Sequence, residues 1–165
     1  MSLINGLPAH VLLVHVVVVF VPLTALALVL CAAWPAAARR LGVALPLFAL
    51  VTLVSVPLTT GAGEWLEKHV ASNALVRRHA ELGDGLLPWA AGLFVLAVVV
   101  WWAARRTAAS GPSGTSRWTT APVRVAAAVL ALVVAGGAVV DVYRIGDSGA
   151  KAAWQDAVGR TTSGG

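Results

Sequence analysis

Four residues of this chain can hold a metal or move a proton near neutral pH: His10, His15, His69 and His79. The first two lie five residues apart in "LPAHVLLVHVVVVFVPL", a run otherwise built for lipid. A neutral imidazole ligates transition metals and haem iron through one ring nitrogen and hydrogen-bonds through the other. An ionisable side chain inside an apolar run is a functional candidate by default. His15 lies about 7.5 Å deeper than His10 along a helix and about 140° round its axis. The two therefore cannot both face one centre from an ideal helix, and a partner must come from elsewhere. His79 is that partner. Gly83 lies one turn after it, where the missing side chain leaves room for a bulky group. Glu81 and Asp84 are placed to orient an imidazole by accepting its second N–H. The expected site is thus His15 and His79, with His10 as substitute ligand and Gly83, Glu81 and Asp84 around them. The plain alternative is that these histidines anchor or hydrogen-bond helices at the membrane edge. His69 fits that alternative, as does His10.

These residues need a frame. The chain has 165 residues, 59% hydrophobic and 12% charged, with a mean hydropathy of +0.84. Soluble domains carry about 25% charged residues, so this is a membrane protein. Four stretches reach the ~20 residues that a spanning helix needs: about 7–34, 41–60, 86–104 and 122–143. The expected fold is all-α, a single up-down four-helix bundle over residues 1–157, with 158–165 as a disordered tail. "PAAARR" is short enough to make the first two spans an antiparallel hairpin. "GEWLEKHV" reads as a short interfacial helix between spans two and three, and Ser72 as the N-cap of a further helical segment.

Charge sorts by side. One face of the bundle holds Arg39, Arg40, Arg105, Arg106, Arg117 and Arg124 and no acid. The other holds all seven acids, six further Lys and Arg, and all four histidines. The Lys and Arg counts tie. The arginines that abut span ends make the acid-free side cytoplasmic and put both termini outside a bacterial plasma membrane. Trp34, Trp101, Trp102 and Trp118 form the inner aromatic belt, with Trp65, Trp89 and Trp154 the outer one. Asp141 and Arg144, three apart, read as an ion pair that ends span four.

The pattern excludes several functions. The net charge of +5 comes from residues flanking apolar runs, not from a basic, aromatic-interleaved surface, so nucleic acid is not a partner. One cysteine, Cys31, makes no internal disulfide and no Cys-cluster metal site. No nucleophile–base pair, phosphate loop or paired catalytic carboxylate stands out, which argues against an enzyme. Asp147-Ser148-Gly149 alone is too common a tripeptide to mark a serine nucleophile.

"LPAHVLLVHVVVVFVPL", "VPLTTGAGEWLE", "RHAELGDGLLPW" and "YRIGDSGAKAAW" together resemble a family of small bacterial membrane proteins. It is known as domain of unknown function twenty-two thirty-one, and the chain looks like its actinobacterial branch. The resemblance runs from about Leu3 to Trp154 and implies a four-helix membrane domain without an established activity. The family's usual opening has proline after the first histidine, where this chain has Val11. It often has histidine where this chain has Asp147, which would remove a rim ligand. A fold-level likeness to four-helix b-type cytochromes brings in a haem, or another metal, as the alternative cofactor. The first reading is a structural or accessory membrane component, whose partners are the bilayer and another membrane protein or itself. The alternative is a redox module binding b-type haem or a metal through histidines at the outer rim.

Overall fold

The computed structural model describes residues 3–4, 7–68, 74–109 and 120–162. Leu3–Ile4 pairs antiparallel with Leu7–Pro8 in a two-residue ladder. The rest of the regular structure among these residues is helical: α1 Ala9–Ala33, α2 Pro35–Leu41, α3 Ala44–Glu67, α4 Ala74–Asp84, α5 Leu86–Ala109 and α6 Ala121–Thr162. Four helices are long and apolar enough to cross a membrane. They are α1, α3, α5 and α6.

Three boundaries differ from the sequence reading. The first span starts at Ala9, because the chain before it is spent on the strand pair. "GEWLE" is no separate helix. It continues α3 through Glu67 without a break, since Gly61 and Gly63 keep helical geometry and nothing caps the helix earlier. The short helix between spans two and three is α4, the further helical segment expected there, with Arg77, Arg78, Glu81 and Asp84 on it. His69 and Ser72 fall outside the described residues. The last helix does not stop near Tyr143. It runs 42 residues to Thr162, about 63 Å at 1.5 Å per residue, and so reaches into the segment expected to be a tail.

Helix α1 packs on α3 and α6, and α5 closes the ring between α3 and α6. His10 meets Thr59 and Thr24 meets Thr52, with hydroxyls 2.7 Å apart, so partners fall along α3 as they rise along α1 and the two helices are antiparallel. The rings of Phe20 and Phe48 stack between them with centroids 4.8 Å apart. Val21, Leu28, Leu45 and Leu93 are fully buried, among alanines at 25, 49, 90, 97, 131, 135 and 138. That composition follows from the solvent. Lipid is as apolar as leucine, so burial between helices gains little, and small residues win by letting backbones come close enough for dispersion contacts. The larger apolar side chains face outward, among them Val18, Val19, Leu26, Leu47, Val125 and Leu132.

Polar groups inside the bundle bond locally. Thr52, Ser55 and Thr59 lie on the buried face of α3 and donate to the carbonyls of Phe48, Thr52 and Ser55 at 3.1, 2.7 and 2.7 Å. With its own proton on Phe48, Thr52 accepts the Thr24 hydroxyl. Trp89, placed in the outer belt by the sequence, is half-buried and packs its ring over Gly137 of α6. A Cβ at 137 would overlap that ring.

Candidate functional site

His10 sits one residue inside α1, at the end of the bundle where α3 finishes. Its Nδ1 donates to the Thr59 carbonyl at 3.0 Å. One turn further along α3 is Gly63, where a Cβ would stand 3.1 Å from the ring. The glycine is what lets the imidazole sit this close to α3.

His79 arrives from α4, which packs antiparallel to the outer part of α6. Its Nδ1 lies 3.1 Å from the Ile145 carbonyl and 3.0 Å from Ser148 Oγ. The buried Ser148 hydroxyl donates to the same carbonyl at 2.8 Å. Ser148 has spent its proton, so the imidazole N–H is the one shared between the carbonyl and the hydroxyl oxygen. Gly149 makes the space, since a Cβ there would meet the ring at 3.0 Å.

The two imidazoles meet, with ring centroids 6.1 Å apart and planes at 86°. Four helices are thereby joined through two side chains. Both rings use Nδ1–H as donor to a backbone oxygen, which fixes the tautomer and leaves Nε2 as a lone pair on each. That is how a metal-ligating histidine is normally held.

The pair is His10 with His79. His15 is exposed, and its Nδ1 bonds the Val11 carbonyl of its own helix at 2.6 Å. It takes no part in the cluster, as the 140° offset requires. Gly83 faces α3, where a Cβ would touch Thr60 Cγ2 at an ordinary 3.8 Å, so it serves the α4–α3 contact. Glu81 and Asp84 are exposed. The groups that orient the imidazoles are the carbonyls of Thr59 and Ile145 and the hydroxyl of Ser148.

Thr59, Gly63 and Ile145 escaped the sequence reading, because a backbone carbonyl carries no residue-type signal. Ser148 and Gly149 lie in "GDSGA", part of the quoted resemblance, but nothing there says which histidine they serve. The expected Asp141–Arg144 ion pair does not form. Asp141 Oδ2 is buried without a hydrogen-bond partner, and Arg144 is exposed. Asp147 is exposed and pairs with Lys151 at 2.7 Å, a surface i,i+4 contact of little energetic weight. It does not face His79, so Ser148, His79 and Asp147 make no triad.

Among the described residues, no three His, Cys, Asp or Glu side chains group closely enough to hold a metal ion. A metal needing three or four protein ligands has no site there.

Residues 6–162 match the family described as "Predicted membrane protein (DUF2231)". No curated protein and no solved structure matches the chain.

Proposed function

The chain belongs to that family of membrane proteins, and from this premise we propose that it is an accessory scaffold of a bacterial plasma membrane, not an enzyme. One observation carries the reading. Both rim imidazoles spend their N–H groups on atoms of neighbouring helices, His10 on α3 and His79 on α6. The polar chemistry of the outer rim is used to join helices, and the apolar outer faces are left for lipid and for a membrane partner or a second copy.

In this reading both termini are extracytoplasmic, with the acid-free arginine face inside. Cys31 is the chain's one cysteine and is buried, so single exposed cysteines report sidedness in a Cys31→Ala background. Asp147→Cys is expected to react with an impermeant maleimide on intact cells, and Arg39→Cys only after lysis. The reverse pattern overturns the orientation.

A second reading is favoured by two adjacent imidazoles, ring centroids 6.1 Å apart, that hydrogen-bond through Nδ1 and so can offer Nε2. Here His10 and His79 would hold a b-type haem, kept in orientation by the carbonyls of Thr59 and Ile145. A bound haem would supply one-electron chemistry. The donor set fits that group, although His15 and Gly83 have no place in it. The test is the visible spectrum of protein purified in mild detergent after expression with ample haem. The scaffold reading expects a colourless product. A Soret band that disappears in both His10→Ala and His79→Ala replaces it with a redox module.

A further inference from the structure

Asp141 stands about two turns further into the bundle than Ser148, on the same face of α6. Its Oδ2 is out of contact with solvent, and no donor among the described residues reaches it. A carboxylate is acceptor-only and needs donors. The residue as a whole is half-buried, but an oxygen shielded from water with no donor disfavours the charged form of its group.

The facing residue is Gly85, at the break between α4 and α5. A Cβ at 85 would stand 3.2 Å from the Leu82 carbonyl oxygen and 3.7 Å from Asp141 Oδ2. Two acceptor oxygens therefore border the space that the glycine leaves open, and a proton on Asp141 would give the pair the donor it lacks. The Leu82 carbonyl accepts the Gly85 N–H at 3.1 Å and keeps a second lone pair. No hydroxyl is at hand to help, because Thr59 and Thr60 donate to the carbonyls of Ser55 and Pro57. None of the charged groups nearby hydrogen-bonds this oxygen. Arg144, one turn along α6, and Asp84, next to Gly85, are both exposed. His79 faces Ile145 and Ser148, and His10 faces Thr59.

We propose that Asp141 is a proton-binding site: its carboxyl holds a proton at neutral pH and donates it to the Leu82 carbonyl across the gap left by Gly85. The bond ties α6 to the α4–α5 break, and the bound ligand is the proton itself. Ionisation moves that proton to bulk water and removes the donor between the two oxygens, so it is coupled to opening of the break.

Infrared spectroscopy of the full chain in a maltoside detergent, which has no ester carbonyl, tests this. The wild type at neutral pH should show a protonated-carboxyl C=O band above the amide region that shifts in heavy water and is lost in Asp141→Asn, read as the wild-type-minus-variant difference. Gly85→Ala should keep the band but raise its frequency, as the hydrogen bond weakens. A wild-type pH titration needs no variant, and the band should persist at neutral pH and vanish in one alkaline step. Absence of the band at neutral pH overturns the proposal. So does its survival in Asp141→Asn, an unmoved band in Gly85→Ala, or loss of the band when sodium replaces choline at constant pH, which would put a cation in the gap.

Discussion

Gly137→Ala is expected to destabilise the bundle by about 1–3 kcal/mol, the range for overpacking a filled interior. For a chain of this size that corresponds to a melting temperature lowered by roughly 5 °C. The reason is local. The six-membered edge of Trp89 occupies the space where the new methyl would go. The ring is one rigid plane, so it must move as a body, and it is already packed on the buried core. The helices cannot simply separate, because close approach is the source of their attraction in lipid. Trp89→Leu removes the obstacle. The double variant should therefore lose less than the sum of the two singles, with a coupling on the order of 1 kcal/mol. Thermal melts of all four proteins in one detergent measure it. Strict additivity would mean that the two residues do not touch. Gly136, one position earlier, has nothing within reach of a Cβ, so Gly136→Ala serves as the matched control and should change stability by under about 0.5 kcal/mol.

His79→Ala is expected to loosen α4 selectively. The substitution removes the N–H shared by Ile145 and Ser148 and the ring that meets His10. It orphans no buried donor, because Ser148 still donates to Ile145. The loss is therefore one hydrogen bond and a packed ring, about 1–2 kcal/mol. Arg77 and Arg78 flank the site on α4 and are exposed, so limited trypsin digestion reads the local opening. Cleavage there should speed up about tenfold, the equivalent of 1.4 kcal/mol. His15→Ala should leave the rate unchanged, since its ring bonds only its own helix. Equal effects of the two substitutions would remove the assigned roles. A His10→Ala, His79→Ala cycle should show coupling, whereas a His15→Ala, His79→Ala cycle should be additive.

These contrasts show what the sequence could and could not reveal. Four spans were legible because hydropathy over ~20 residues is a strong signal, and the α1–α3 hairpin followed from a short connection. The bundle's closure placed His10 and His79 at one end, and the offset between His10 and His15 already barred a joint role. Which of those two turns inward was not legible. Val, Leu and Phe surround both, and with lipid outside as apolar as the protein inside, α1 shows no apolar stripe to orient it. Helix ends were misjudged for a related reason. "GEWLE" and the segment after Tyr143 turn polar, and polarity marks exit from the apolar layer, not the end of a helix. The partners of the imidazoles are backbone oxygens, and these become visible only when the helices are laid side by side.

The length of α6 has a mechanical consequence. Its 42 residues make a rod about 63 Å long, where the hydrocarbon layer is about 30 Å thick. The outer part is therefore a lever arm. A swing of only 10° at the membrane edge would displace a point about 25 Å out by roughly 4 Å. A force applied to that arm would therefore act on the contacts of Ser148 and Gly149 with α4.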